Sequence, residues 1–187
     1  MHKHLPNIFI FLDQYNNQIF KNKNLNIGVI YRNYKDRNRE IQLVKIAKAC
    51  KKSRYQLFVS NDLKLALKVK ANGIYIPSFN KTKKFSNLEK KNIEIIGSAH
   101  NQKEIQNKIS QNCTAIFLSP VFSVEKSKKF LGLYKFNYLS HMNKINFLAL
   151  GGISDKNIRK LKLLYIKGYG GISIFKKKPA FFKGRFL

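Results

Sequence analysis

The sequence predicts a compact (β/α)8 (TIM) barrel whose helices are short or partly missing. Eight short apolar runs recur along the 187 residues, and polar stretches with helical spacing separate them. Each run is apolar at consecutive positions and rich in β-branched or aromatic residues, which is typical of strands buried on both faces of a parallel sheet. A doubly wound open sheet is the structural alternative, but no G-x-G-x-x-G follows the first run.

The predicted strands follow one another at a fairly regular spacing. They cover residues 8–12, 27–31, 57–60, 73–76, 93–97, 115–118, 147–150 and 171–175. A helix that crosses a membrane needs roughly 20 consecutive apolar residues. These runs are much shorter, so we expect no membrane segment.

Apolar stripes between the strands predict the helices. The polar, Asn-rich stretch 21–26 takes the place of a full first helix. Asp62 and the pair Ser154-Asp155 are typical of helix starts, and Gly168 is typical of a helix stop. The stripes are Ile41/Val44/Ala47/Lys48, Leu63/Ala66/Leu67/Lys70, Ile105/Ile109 and Ile158/Leu161/Leu164.

The length and composition favour a single domain over residues 1–187. Hydrophobic residues make up 44% of the chain and aromatic residues 13%, which is enough for one sizeable core. The tail 176–187 is basic and aromatic; it could cap the barrel, dock on a partner or fray.

Cys50 and Cys113 have no metal-ligand spacing and form no disulfide framework, which indicates inert thiols in a reducing compartment. No signal peptide is recognisable, so we expect a cytoplasmic protein.

The charge of the chain is strongly positive. Lys and Arg number 37 against 9 Asp and Glu, a net charge of +28 that would suit a polyanion. Lys supplies most of these cations and is scattered, whereas Arg is the residue that grips phosphate and guanine bidentately. Lys, Asn and Ile enriched together are what an AT-rich coding sequence produces. We interpret the charge mainly as coding bias and do not favour nucleic acid as a partner; a selected polyanion surface is the alternative.

Functional residues of such a barrel follow the strands at the C-terminal face. The pairs Gly151-Gly152 and Gly170-Gly171 follow or close the last two strands, where loops often cradle a phosphate through backbone N–H groups. Tight turns without a ligand are the alternative.

Charged and polar residues near earlier strand ends suggest a second anion site. Arg32, with Lys35 and Arg37 close by, suits an anionic group or is ordinary surface charge. Asp62, next to Asn61, could hold Mg²⁺ for a pyrophosphate or cap a helix. His100 could act as a general acid or base or be a polar loop residue. No Ser-His-Asp set or Cys-His pair can be argued from spacing.

Several short motifs, taken in order, resemble the thiamine phosphate synthase/TenI-like family of barrels. The resemblance covers residues 27–175 and is closest to a divergent synthase-like branch. The motifs are Arg32 with Tyr34 and Arg37, Ser60-Asn61-Asp62 with Ala66, residues 71–76, 97–100, 118–122 and 131–132, Ala149-Leu150-Gly151-Gly152-Ile153, and Gly171-Ile172-Ser173-Ile174.

The resemblance implies a reaction. The synthase joins hydroxymethylpyrimidine pyrophosphate to a thiazole phosphate, giving thiamine phosphate and pyrophosphate with the help of Mg²⁺. It also implies the site residues. Arg32 and Asn61 would contact the pyrophosphate as catalytic residues, and Asp62 would ligate Mg²⁺. Lys35, Ser98 and Lys126 would lie on the pyrophosphate side, whereas Gly151, Gly152, Ser173 and Ile174 would bind the thiazole phosphate.

The chain also departs from the family pattern. Ile30 and Tyr34 stand where the synthases have Gln and Lys, and Asn80 replaces the second expected metal carboxylate. A Thr-x-Thr-Lys run is replaced over residues 124–128, and Pro120 stands where the tautomerase branch has His. The alternative is therefore a TenI-like thiazole-phosphate-binding protein, tautomerase-like or regulatory, without synthase activity. A homo-oligomer is compatible with either function.

Overall fold

Eight parallel strands close into a barrel in chain order, which confirms the predicted fold class. The structure is a computed structural model that describes residues 4–21, 26–34, 36–85, 92–125 and 129–171. The strands are β1 (Ile8–Leu12), β2 (Ile27–Tyr31), β3 (Gln56–Ser60), β4 (Gly73–Ile76), β5 (Glu94–Ala99), β6 (Ala115–Leu118), β7 (Asn146–Leu150) and β8 (Gly168–Gly171).

Most helices outside the barrel are short, as predicted, but one has 15 residues. A 3₁₀ helix, Asn17–Lys21, follows β1, and a second one, Ile158–Leu163, follows β7. Between β4 and β5, the described residues contain no helix. The α-helices are α1 (Arg39–Ser53), α2 (Leu63–Lys68), α3 (Gln102–Ser110) and α4 (Gly132–His141).

The last strand differs from the prediction because it begins at Gly168, which the sequence indicated as a helix stop. Tyr169 and Gly170 pair with Ile8 and Phe9 of β1, and this pairing closes the barrel. A Gly-Tyr-Gly-Gly segment lacks the apolar pattern of a buried strand, so the pattern placed the strand three residues too late. Residues 172–175 of the predicted strand lie outside the described part of the chain.

The stripe Ile158/Leu161/Leu164 is buried as predicted, but the buried face of α1 differs from its predicted stripe. In α1 the buried side chains are Leu43, Ile46 and Cys50, whereas Ile41 is 56% exposed. Both stripes have helical spacing, so periodicity alone could not choose between them. The sequence predicted a helix start at Ser154-Asp155. In the structure the second 3₁₀ helix starts a few residues later, directly after Asn157.

Aromatic rings fill the interior of the barrel. Side chains alternate inward and outward along each strand, and those of Phe9, Phe11, Phe58, Tyr75 and Phe117 share the inner cluster. The ring of Phe117 lies 5.2 Å from that of Phe9 and 5.3 Å from that of Phe11, both in edge-on contacts. Such contacts add to the free energy gained by burying the rings.

Glycines on neighbouring strands leave the space that these rings occupy. A Cβ atom at Gly28 would lie 2.5 Å from the Phe9 ring, and one at Gly73 would lie 2.7 Å from the Phe58 ring. At Gly170 it would lie 2.8 Å from the Phe117 ring. Gly170 therefore supplies room in the core, and the pair Gly170-Gly171 lies inside β8, not in a loop.

A second core cluster packs the helices onto the outside of the barrel. Both cysteines are buried in it, and burial raises the pKa of each thiol to about 12. They therefore remain protonated at neutral pH. Within the described ranges, every helix is too short or too polar to traverse a lipid bilayer.

We expect Phe117→Ala to destabilise the protein by about 3–5 kcal/mol, because the cavity lies among three other rings of the barrel interior. Tyr134→Ala is the control: Tyr134 is 87% exposed on α4, and its loss should change stability by less than about 0.5 kcal/mol. Urea unfolding measures both. Similar losses for the two variants would contradict this account of the core.

Candidate functional site

The C-terminal ends of the strands meet at one face of the barrel, which we call the mouth. Two groups of predicted residues lie there. The Asn61 end comprises Arg32, Asn61, Asp62 and Asn80, which follow β2, β3 and β4. The glycine end comprises Gly151 and Gly152, which follow β7.

Arg32 lies directly after β2, above the barrel interior. Its Nε donates a hydrogen bond to the Asp13 carboxylate at 3.3 Å. Its guanidinium carbon lies 5.5 Å from the centre of the Phe11 ring. The side chain remains 36% exposed, so the ion pair is screened by water and the guanidinium can reach a ligand.

Asn61 and Asn80 are brought together by the loops after β3 and β4. The side-chain amide of Asn80 donates to Asn61 Oδ1, and Asn80 Oδ1 accepts from the backbone N–H of Thr82 at 2.8 Å. Asn61 has a φ of 57°, and its N–H donates to the Tyr75 carbonyl at 2.9 Å. Asn80, which stands where the family resemblance led us to expect a carboxylate, thus places an amide beside Asn61.

Asp62 is held on both of its carboxylate oxygens. Oδ1 accepts from the Leu65 N–H at 3.0 Å and caps α2, which was one of the two predicted roles. Oδ2 accepts from Arg39 at 2.9 Å. Arg39 also donates to the Ser60 carbonyl at 2.8 Å, and its guanidinium carbon lies 5.7 Å from the Tyr34 ring centre.

The side chains at the Asn61 end do not fit a Mg²⁺ site as they stand. Mg²⁺ binds one or two carboxylates in near-ideal octahedral geometry. The Asp62 carboxylate is already neutralised by Arg39, and the Asn61 and Asn80 amides bond to each other. No three His, Cys, Asp or Glu residues of the described ranges come together around a common point.

Hydroxyl groups form the floor below the Asn61 end. The Tyr34 phenol hydrogen-bonds to the Ser60 hydroxyl. The Tyr75 phenol pairs with Ser98, a predicted pyrophosphate-side residue that is almost fully buried. Burial raises the pKa of Tyr75 to about 12 and also raises that of Tyr34, so both phenols are neutral at pH 7. They can orient a ligand but do not supply charge.

His100 ties three loops of the mouth together. Its Nδ1 lies 2.8 Å from the Ser119 carbonyl oxygen. A carbonyl oxygen can only accept a hydrogen bond, so Nδ1 carries the hydrogen and donates it. Its Nε2 lies 3.2 Å from the Ser78 hydroxyl, within hydrogen-bonding distance. Both ring nitrogens are engaged, so the geometry supports the polar-loop interpretation of His100.

The glycine end requires its two glycines. Gly151 and Gly152 have φ values of 94° and 69°, which other residues rarely adopt. A Cβ atom at Gly151 would lie 2.7 Å from the Pro120 Cβ, and one at Gly152 would lie 2.5 Å from the Phe122 carbonyl oxygen. The turn therefore presses its backbone against the loop after β6.

Four predicted site residues lie outside the described part of the chain. They are Lys35, Lys126, Ser173 and Ile174.

Sequence reasoning did not identify Arg39 and Lys108 as residues of the site. Lys108 is fully buried in α3, and its Nζ donates to the carbonyls of Pro77 and Asn80 at 2.8 and 2.7 Å. A signal existed, because Lys108 lies one turn after the buried Ile105 on the same helical face. Burial lowers the pKa of Lys108 to about 8, so its amine is still mostly charged at pH 7.

Sequence comparison links the chain to one family. A family model described as thiamine monophosphate synthase matches residues 22–175. A thiamine-phosphate synthase from one strain of Prochlorococcus marinus is 32% identical over 126 residues, covering 65% of this chain and 36% of that protein. Another, from Prochlorococcus marinus subspecies pastoris, is 31% identical over 149 residues, covering 73% and 40%. The chain thus spans less than half the length of these relatives.

Solved structures agree with the barrel. The thiamine phosphate pyrophosphorylase from Pyrococcus furiosus superposes with a TM-score of 0.73 at 18% identity, covering 90% of this chain and 86% of that one. FabK from Thermotoga maritima gives a TM-score of 0.69 at 14% identity, covering 91% and 59%. At these identities the likeness shows the fold alone.

We expect Gly152→Ala to lower stability more than Gly132→Ala. Both positions have positive φ, at 69° and 68°, so both variants strain the backbone by about 1–2 kcal/mol. At Gly132 the nearest atom is 3.9 Å from an added Cβ, whereas at Gly152 the Cβ meets backbone oxygens at 2.5 Å. This overlap should add about 1–3 kcal/mol in urea unfolding. Equal losses would show that Gly152 does not pack as described.

Proposed function

Because the chain belongs to the thiamine monophosphate synthase family, we propose that it is a thiamine phosphate synthase-type transferase. It would join hydroxymethylpyrimidine pyrophosphate to a thiazole phosphate and release pyrophosphate. The observation that carries the proposal is that Arg32 and Asn61 share the barrel mouth with the Gly151-Gly152 turn. Two ends suited to anions are what two phosphorylated substrates need.

The Asn61 end would hold the pyrophosphate group. In the reaction the C–O bond between the pyrimidine methylene and the pyrophosphate breaks, and the bonding electrons leave with the pyrophosphate. Arg32 carries a permanent positive charge, and it would stabilise the charge that develops on the leaving oxygen. The amides of Asn61 and Asn80 offer N–H donors beside it.

The glycine end would hold the thiazole phosphate. Backbone N–H groups in turns with positive φ form concavities that bind anions, and glycine lets a ligand approach closely. Gly151 and Gly152 have this conformation. Held there, the thiazole would present its nitrogen to the pyrimidine methylene and form the new C–N bond. We propose that the backbone of Ser173 and Ile174 completes this end.

The hydrogen-bonded rim would keep the two ends at a constant separation. Asn61 bonds to Asn80 in the loop after β4, and His100 connects that loop to the Ser119 carbonyl after β6. The following residue, Pro120, packs against Gly151. A rigid frame of this kind lowers the barrier by holding both substrates in position, with little acid–base chemistry.

Family membership leads us to expect magnesium as the cofactor. The ion would neutralise the negative charge of the departing pyrophosphate. Asp62 would be its carboxylate ligand, with Asn61 and Asn80 nearby, but Asp62 would first have to leave Arg39. As they stand, these donors do not fit the ion. We propose Lys35, Ser98 and Lys126 as further groups on the pyrophosphate side.

A thiazole-phosphate-binding protein without synthase activity is the second candidate. The observation that favours it is that the Asp62 carboxylate is engaged by Arg39 while the Gly151-Gly152 turn is intact. Such a protein would keep the phosphate end and lack the transfer step. In both cases the partners are small phosphorylated molecules, and we do not propose nucleic acid as a ligand.

The synthase proposal predicts that purified protein forms thiamine phosphate from the two substrates, as detected by mass spectrometry. Arg32→Met should lower the rate roughly a hundredfold, because one charge that stabilises the leaving group is lost. Arg159→Met is the matched control: Arg159 is exposed on the 3₁₀ helix after β7, and its loss should leave the rate unchanged. Absence of product at high enzyme concentration, with thiazole phosphate still bound, would favour the second candidate.

A further inference from the structure

Lys108 is a fully buried lysine that lies beneath the loop after β4. Its Nζ uses all three N–H donors, on the carbonyls of Pro77 and Asn80 and on Gln111 Oε1, at 2.8, 2.7 and 2.9 Å. Gly97 leaves room for the stem, since a Cβ atom there would lie 2.7 Å from Lys108 Cδ. The barrel is therefore shaped to bring this ammonium to the underside of the Asn61 end.

The three acceptors of Lys108 are neutral. Glu104, one turn earlier in α3, instead accepts hydrogen bonds from the His100 N–H and from the Asn101 side chain. The cations Arg32 and Arg39, by contrast, are each paired with a carboxylate. No carboxylate of the described residues forms an ion pair with Lys108, and the nearby charge of Glu104 offsets only part of the effect of burial on its pKa. Lys108 thus brings a positive charge to this end of the mouth.

Keeping such a charge is costly for the fold. Burial removes an ammonium from water, and hydrogen bonds to neutral acceptors offset only part of the free energy of hydration that is lost. A neutral donor could hold the loop at a lower cost. The charge therefore points to a role toward a ligand, because the field of a positive charge that is removed from water favours an anion nearby.

We propose that the buried ammonium of Lys108 gives the Asn61 end a fixed positive charge that binds pyrophosphate without a divalent cation, and that its hydrogen bonds position Asn80 against Asn61. Lys108 acts here through the loop and through its charge, as a positioning residue. Asn80, which stands in place of a metal-binding carboxylate, fits the same arrangement, because an amide adds no negative charge next to the anion. The choice of pyrophosphate as the anion rests on the proposed function.

The first test needs no substitution. Inorganic pyrophosphate is titrated into the protein by calorimetry, once with EDTA and once with excess Mg²⁺. We expect binding with EDTA at an affinity within about threefold of that with Mg²⁺. Binding that requires Mg²⁺, or no binding in either buffer, would overturn the proposal.

Substitutions at Gln111 separate the charge from the hydrogen bonds. Gln111 also donates to the carbonyls of Asn80 and Thr82, and both Gln111→Glu and Gln111→Met lose these bonds. Only Gln111→Glu places a carboxylate against the ammonium and compensates its charge. We expect Gln111→Glu to weaken metal-free pyrophosphate binding at least about tenfold relative to Gln111→Met. Equal affinities would contradict a role for the charge.

Lys108→Met removes the charge itself and should weaken metal-free pyrophosphate binding by at least about tenfold. Circular dichroism shows whether this variant folds. If it does not, the two Gln111 variants and the wild-type titrations decide whether the Lys108 charge binds pyrophosphate.

The outcomes also separate this inference from the proposed function. Metal-free pyrophosphate binding without any formation of thiamine phosphate would overturn the synthase proposal alone. Thiamine phosphate formed solely with Mg²⁺, by a protein that binds no free pyrophosphate, would overturn the role of Lys108 alone.

Discussion

The packing of aromatic rings against glycines inside the barrel is the constraint on which the rest of the structure depends. Large rings fill the interior, so other strands must have glycine where a ring projects toward them. Gly28 accommodates the Phe9 ring in this way, and Gly170 accommodates the Phe117 ring. This is why β8 has a glycine at position 170, whereas Gly168 leaves room for the Asn7 backbone next to β1. Closure in turn aligns the strand ends, and every predicted site residue that the structure describes lies at or after such an end.

The mouth is organised by hydrogen bonds that pass from loop to loop. They run from Asn61 through Asn80 and His100 to the loop after β6, which packs on the Gly151-Gly152 turn. Beneath this rim, Lys108 fixes the loop after β4 from inside the protein. The fold thus places a few of the many cations of this chain, whose net charge is +28, at the mouth.

Seven of the eight strands could be predicted closely, because consecutive apolar residues leave little freedom where both faces of a sheet are buried. The start of β8 could not, since its glycines Gly168 and Gly170 are required by the Asn7 backbone and the Phe117 ring, which are distant in sequence. Strand-end position was also enough to predict that Arg32, Asn61 and Gly152 lie at the barrel mouth. Arg39 and Lys108 lie on helices and reach the mouth through long side chains, so strand-end position did not mark these partners of Asp62 and Asn80. For Lys108, only the helical spacing after the buried Ile105 was a signal.

A crystal structure with inorganic pyrophosphate and a thiazole phosphate would test the two-ended mouth most directly. The account predicts pyrophosphate beside Arg32, Asn61 and Asn80, and the phosphate of the thiazole against the backbone of Gly151 and Gly152, with both ligands in one barrel mouth. Phosphate groups bound on the outer helices, or both ligands competing for one end, would contradict it.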